Sequence, residues 1–295
     1  MKVSGFTYIK NGFEFGYPFL ESIQSILPLC DEFVVAVGES NDGTAEAVAA
    51  LSPKIKINPT VWDMKMRKNG KVFAQQANIA FDAVQGDWAF HIQADEVIHE
   101  NDLSKIKFAL QENTENEKVQ GFLLPFIHFW GNYNYIRNSR RVHNNEVRII
   151  RNNKLIRSYA DSQGFRIYSS AEAYEAGEKG EKLRVKKIDA PVYHYNGVRN
   201  ISVQKKKMYY FDLYHTEKDE VNNQYDDFEF QKVDRVVPFN GTHPEVMQER
   251  IAKFNPPFSF DGSQAQWKFK DRIMQPIEDR LGFKFGEYKN YVLIK

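Results

Sequence analysis

The sequence predicts an α/β protein: a mostly parallel sheet with helices on both faces, followed by a mainly helical C-terminal extension. Three observations lead there. Strand and helix signals alternate from Lys2 to Gln93, strand first and strand last, the pattern of a parallel sheet wound by crossover helices. The run Glu32 to Val37 (EFVVAV) is apolar after its first residue and rich in β-branched side chains, as in a strand covered on both faces. The 295 residues are 42% hydrophobic and 14% aromatic, which excludes disorder and supplies a core without disulfide or metal staples.

The elements follow in order. Lys2 to Ile9 reads as a strand. Tyr17-Pro18 opens a helix through Ile26, stopped near Pro28. After the EFVVAV strand, Gly38 to Gly43 is turn chemistry, and Thr44 to Leu51 is an Ala-rich helix. Ile55 to Trp62 is a strand broken by Pro59. Val72 to Val84 has helical spacing and ends at Gly86. Trp88 to Gln93 is a strand with Ala94-Asp95-Glu96 at its end. Gly121 to Trp130 and Glu146 to Arg151 read as strands on either side of a polar, Asn- and Arg-rich loop, and Leu183 to Tyr195 as one or two more. Ile201 to His215 is a helix whose Lys205, Lys206 and Lys207 suggest a solvated face. Residues 216–235, charged and poor in aliphatics, suggest a mobile or surface excursion. Residues 244–295 read as short helices between aromatic loops. The expected division is 1–199, with halves of about 1–100 and 101–199, and an extension over 200–295.

Charge and cysteine content narrow the class. Lys and Arg number 40 against 39 Asp and Glu, a formal net charge of +1, so no chain-wide binding of nucleic acid is expected. The single Cys30 cannot form an internal disulfide, which suits a reducing compartment. Neither a signal-peptide pattern nor an apolar run of ~20 residues is visible. The expected location is cytoplasmic, with peripheral contact to the inner membrane face left open.

Candidate chemistry sits at strand ends, where parallel sheets bind their ligands. Gly38 to Thr44 (GESNDGT) offers Glu39 and Asp42 as acceptors for a base or ribose, or is simply a capped turn. Gly86 to Glu96 (GDWAFHIQADE) delivers adjacent carboxylates, as a divalent cation on a diphosphate requires, or as a helix N-terminus favours. In Tyr193 to Arg199 (YHYNGVR), His194 could complete a metal shell and Arg199 could bind phosphate.

This order of strand, N-D-G-T turn, helix ending in Gly-Asp, strand and Ala-Asp-Glu resembles family-2 nucleotide-sugar glycosyltransferases of the Rossmann-like GT-A fold. The likeness covers roughly residues 1–165, with His194 a looser match. It implies a glycosyltransferase using a nucleotide-sugar donor, a divalent metal (Mn²⁺ or Mg²⁺) and a glycan or lipid-linked acceptor, as in polysaccharide biosynthesis. It implies that Glu39 and Asp42 meet the nucleobase. It also implies that Gln93-Ala94-Asp95 stands where the D-x-D metal and diphosphate motif belongs, with Asp95 and His194 as metal ligands. The first acid is Gln93, a departure that bears on metal dependence. Asn78 lies where the family often has Asn facing the donor, and Lys71 and Arg67 precede it in a loop that could meet phosphate. In related enzymes the catalytic base follows a later strand. Asp161, in a loop before Gly164, is favoured over Glu146, which begins a strand among arginines and suits an ion pair. The cations Arg137, Arg140, Arg141, Arg148, Arg151, Lys154 and Arg157 suggest either a solvated face or contact with an anionic glycan, a lipid-linked phosphate or the membrane surface, and the nearby aromatics Phe129, Trp130, Tyr133 and Tyr135 suggest sugar stacking. His243 is a weaker acceptor contact.

Two other classes remain. A sugar-phosphate nucleotidyltransferase would carry a Gly-rich basic loop after the first strand, where this chain has Ile9-Lys10-Asn11-Gly12. A non-catalytic glycan- or nucleotide-binding protein on a degenerate transferase scaffold is prompted by Gln93.

Overall fold

The computed structural model describes residues 1–216 and 225–295. In chain order the first half contains β1 (Val3–Ile9), α1 (Phe19–Ile26), β2 (Glu32–Gly38), α2 (Thr44–Ala49), β3 (Ile55–Thr60), α3 (Lys71–Asp82), β4 (Trp88–His91), β5 (Glu96–Ile98) and α4 (Leu103–Glu112). The middle contains β6 (Gly121–Trp130), β7 (Asn132–Ile136), β8 (Asn145–Arg151), β9 (Ile156–Ser158), β10 (Phe165–Ile167), α5 (Ala171–Glu175), β11 (Glu181–Lys187) and β12 (Val192–Gly197). The last part contains α6 (Ile201–Leu213), β13 (Val237–Pro238), α7 (Gln248–Lys253), α8 (Phe269–Leu281) and β14 (Tyr291–Leu293).

The main sheet runs β3-β2-β1-β4-β8-β6-β11-β10-β9. Its first four strands are parallel, with Ile9 beside Val37 and Phe6 beside His91. From β8 onward parallel and antiparallel pairs mix, and β8 runs against both β4 and β6. Alternation along β2 shows why helices lie on both faces. Phe33, Val35 and Val37 pack with Phe19, Ile23 and Ile26 of α1, Val48 of α2, and Ile106 and Leu110 of α4. Val34 and Ala36 point the other way, to Ala80 and Phe81 of α3. Successive side chains of a strand face opposite sides, so an unbroken apolar run requires two covers. Pro59 is tolerated because β3 is an edge strand.

Several expectations need adjustment. Asp95-Glu96 leads into β5, which pairs antiparallel with β12, and not into a helix. The polar loop between β6 and β8 contains β7. The C-terminal part ends in β14, which joins β11 in parallel. Of the charged stretch 216–235, residues 217–224 lie outside the described residues. Among the described residues no helix is long and apolar enough to cross a membrane.

The cationic stretch is spent inside the molecule. Arg140 forms a fork with Glu278 (3.0 Å twice) and reaches Asp271 (2.7 Å), tying α8 down. Arg141 also takes Asp271 (2.8 Å), and Arg137 takes Asp234 (3.0 Å). Arg151 donates to the carbonyls of Asn113, Thr114, Asn116 and Val119. Lys154 donates to the Phe81 and Val84 carbonyls, and Arg157 pairs with Asp82. Neither a solvated face nor a glycan- or membrane-contacting patch describes them. Phe129 and Tyr133 belong to a separate core with Tyr193, Tyr195 and Met247. His243 is fixed there between the Tyr195 hydroxyl and the Tyr133 carbonyl, both at 2.9 Å.

Candidate active site

A cavity of about 320 Å³ opens at the carboxyl ends of β1 and β4, where a parallel sheet presents its ligand site. After β4 the chain turns tightly: the Glu96 N–H donates to the Gln93 carbonyl (3.0 Å) and the Gln93 N–H to the Glu96 carboxylate (3.1 Å). The turn sends the adjacent acids apart. Asp95 enters the cavity wall. Glu96 turns into the core, where Arg148 clasps it in a two-pronged pair at 2.7 and 2.8 Å. The two adjacent carboxylates expected at one spot are therefore one.

Asp95 is 7% exposed, and its surroundings are positive. Lys207 Nζ donates to Asp95 Oδ2 at 3.2 Å, and His194 Nε2 lies 3.6 Å from Oδ1. Burial opposes ionisation of Asp95, but Lys207, His194 and Arg199 outweigh it and hold the carboxyl well below its usual range. Burial, with Arg199 adding to it, lowers Lys207 to about 7 against the pull of Asp95. Lys207 also contacts Asn196 Oδ1. Both Lys207 and Arg199 stand over the Tyr17 ring, at 4.9 and 5.0 Å. Arg199 donates to the Phe15 carbonyl (2.8 Å), while its Nε and Nη2 have no hydrogen-bond partner among the described residues. His194 shares a 2.8 Å hydrogen bond with His128 through Nδ1.

The GESNDGT turn acts at one remove. Asp42 accepts from the Glu14 N–H (2.9 Å) and from Thr44, and the Thr44 hydroxyl accepts from the Gly12 N–H (2.9 Å). Gly43 supplies the left-handed turn at φ 81°. The turn thus anchors loop 11–16, which carries Phe15 to the cavity with Tyr17 just beyond it. Glu39 is exposed and, like Asp42, lies off the cavity wall, so the structure does not bring the two residues expected at the base to this cavity. Asn78, expected to face the donor, is engaged within the fold. Its amide bridges α3 to β9, donating to the Ser158 carbonyl (3.1 Å) and Tyr174 hydroxyl (2.8 Å) and accepting from the Ser158 N–H (2.8 Å). Lys71 is exposed at the start of α3, off the wall.

Among the described residues, two carboxyl groups line the cavity besides Asp95. Glu146 has no ion pair among the described residues, contrary to the arginine pairing expected for it, because Arg148 is committed to Glu96. Burial raises its carboxyl to about 7; Arg148 opposes this, and Glu96 and Asp161 add to it. Asp161 sits between two residues in the left-handed region, Ala160 (φ 51°) and Ser162 (φ 63°), a strained arrangement typical of functional loops. Its Oδ2 lies 3.6 Å from His215 Nε2. An aromatic wall completes the cavity. Trp62 meets Phe73 edge-on (5.5 Å between centroids) and Tyr214 at 5.1 Å, and Phe73 stacks on Phe211 at 5.9 Å.

Sequence reasoning missed this wall and Lys207. The signal was present: Tyr210, Phe211 and Tyr214 follow Lys207 at +3, +4 and +7, one face of a helix. Lys206 does face outward, pairing with Glu14.

The donor set does not fit the divalent metal implied by the sequence resemblance. Gln93 is neutral, Glu96 is consumed by Arg148, and Asp95 already holds an ammonium, which leaves His194 Nε2, 3.6 Å from Asp95, as the one uncommitted donor beside it among the described residues. Among the described residues no group of three or more His, Cys, Asp or Glu is arranged to hold a metal ion.

No protein-family model matches the chain, and no curated protein matches it. Solved structures do. TarS 1-349 from S. aureus matches with 15% identity over 77% of this chain and 68% of that one, at a TM-score of 0.39. A form in complex with UDP-GlcNAc matches at 18% over 47% and 38%, TM-score 0.33. Glucosyl-3-phosphoglycerate synthase from Mycobacterium tuberculosis, with Mn²⁺, UDP and glucosyl-3-phosphoglycerate, matches at 18% over 44% and 45%, TM-score 0.30. These are distant likenesses.

Proposed function

We propose that this chain is a glycosyltransferase that moves a sugar from a nucleotide-sugar donor to a hydroxyl of a glycan or lipid-linked acceptor, with inversion at the anomeric carbon. One observation carries the reading. A single cavity at the strand ends joins a buried positive cluster to a carboxyl group whose proton affinity is tuned to neutral pH. The diphosphate leaving group needs the first, and the acceptor hydroxyl needs the second. In this reading Glu146 accepts the acceptor proton while the acceptor oxygen attacks the anomeric carbon and the diphosphate leaves with the bonding pair. A base of pKa about 7 matches its operating pH better than Asp161, which His215 engages. Asp161 then orients the acceptor from its strained loop. The Trp62–Phe73–Tyr214 wall offers flat apolar faces to the nucleobase. Residues 1–100 form the donor half, 101–199 the acceptor half, and 200–295 add the Lys207–Tyr214 wall.

The test is incubation with a panel of nucleotide sugars, with chromatography for free nucleoside diphosphate and the anomer formed. Release from one donor, faster with an acceptor, supports transfer. Glu146→Gln is expected to cut transfer by about 10²–10⁴-fold with donor binding retained. Pyrophosphate production, or no turnover of any donor, overturns the reading.

A further inference from the structure

We propose that Lys207, held in place by Asp95, supplies the positive charge for the donor diphosphate, so that nucleoside-diphosphate binding by this chain is independent of divalent metal. The inference builds on the transferase reading and gives its diphosphate site an occupant.

Four observations converge on it. The ammonium of Lys207 lies on the cavity wall and touches Asp95, the carboxylate at the end of β4. It is also fixed by Asn196 and the Tyr17 ring, so it reaches the site already oriented. The neighbouring acid, Glu96, is locked to Arg148, and Gln93 brings no charge. A divalent cation placed against Asp95 would meet both Lys207 and the field of buried Arg199. Repulsion from two fixed cations in a partly desolvated site disfavours that arrangement.

Arg199 is the fourth observation. It is 3% exposed, yet among the described residues its Nε and Nη2 have no hydrogen-bond partner. A buried, incompletely paired cation is costly in isolation. Here it stands with Lys207 around one aromatic ring, and among the described residues a single carboxylate, Asp95, serves both. Two cations against that one anion leave an excess positive charge at the end of β4. An incoming diphosphate satisfies that excess and favours the protonated form of Lys207. Asp95 in this account orients the ammonium and does not bind a metal.

The experiment is calorimetric titration of the 295-residue chain with UDP, GDP and their sugar conjugates, in excess EDTA and again with Mn²⁺. The wild type is expected to bind one nucleoside diphosphate in EDTA with an affinity within about twofold of that in Mn²⁺. Lys207→Met should weaken this by about 10- to 100-fold, as loss of a charge-assisted contact does. Lys207→Arg, which keeps the charge and serves if the Met variant fails to fold, should recover most of it. Binding lost in EDTA and restored by Mn²⁺ overturns the inference while leaving the transferase reading intact. So does unchanged binding by a folded Lys207→Met. Metal-free binding through Lys207 without turnover of any donor has the opposite meaning: the inference stands and the transferase reading falls. A wild type that binds no nucleoside diphosphate under either condition overturns both.

Discussion

Glu146→Gln tests the cavity without knowledge of any substrate. The wild-type carboxyl is raised from 4.5 to about 7, chiefly by burial. Each pKa step corresponds to about 1.4 kcal/mol, so the protonated form is favoured in the folded state by about 3 kcal/mol at most. The sign follows from linkage. A folded-state pKa above the unfolded one gives stability that is complete below pH 4.5 and lost as pH climbs through about 7. Glutamine carries the protonated shape without the titration. The variant should therefore be close to wild type at pH 5 and more stable at pH 8. The side chain is half-buried, and water screening should hold the gain to about 1–3 kcal/mol. The assay is urea unfolding of both proteins at pH 5 and 8, followed by far-ultraviolet circular dichroism. Other carboxylates titrate in both proteins, so the variant-minus-wild-type difference isolates Glu146. A difference that stays flat between the two pH values, within about 0.5 kcal/mol, refutes the reasoning.

Three further outcomes are expected. Glu96→Gln leaves Arg148 buried without its counter-ion and should cost about 3–5 kcal/mol in the same unfolding assay; a loss below about 1 kcal/mol would mean the pair is solvated. Asn78→Ala removes two hydrogen bonds between α3 and β9 and a third to Tyr174 of α5 and should cost about 2–4 kcal/mol while donor affinity is preserved; a folded variant with lost affinity would return Asn78 to the donor site. Gly70→Ala should lose about 1–3 kcal/mol and disturb the Asp161 loop. Gly70 has φ 68°, and a methyl group there would stand 2.6 Å from Asp161 Cβ; an unchanged melting temperature would contradict that approach.

The parallel half of the sheet was legible because each strand carries its own signal. A run such as EFVVAV identifies itself wherever it lies. Strands β5, β9 and β10 span three residues each, and their partners set them, not their composition. β5 exists because β12, nearly a hundred residues later, lies alongside it. The arginine cluster misled for the same reason: Asp234, Asp271 and Glu278 neutralise it from a distant part of the chain. Asp95, Gln93 and His194 were placed on the cavity because a strand end is a local feature. Asp42 and Asn78 were not, because a polar side chain that braces a loop and one that holds a ligand have the same letter. Lys207 was legible in principle from its aromatic face and was hidden by two neighbouring lysines.

The aromatic wall has an optical consequence. Of the four tryptophans in the chain, Trp88 is sealed in the core beneath Phe122, and Trp130 donates its indole N–H to the Phe230 carbonyl. Trp267 is half-buried near the surface. Trp62 lines the cavity, packed on Phe73 and Tyr214, with Lys10 over its ring at 5.5 Å. Its ring packs on the aromatic side chains of that wall, so its emission responds to a ring that stacks there, which quenches it. The molecule thus carries its own fluorophore at the cavity mouth, and Trp62→Phe provides the blank for reading ligand entry without a label.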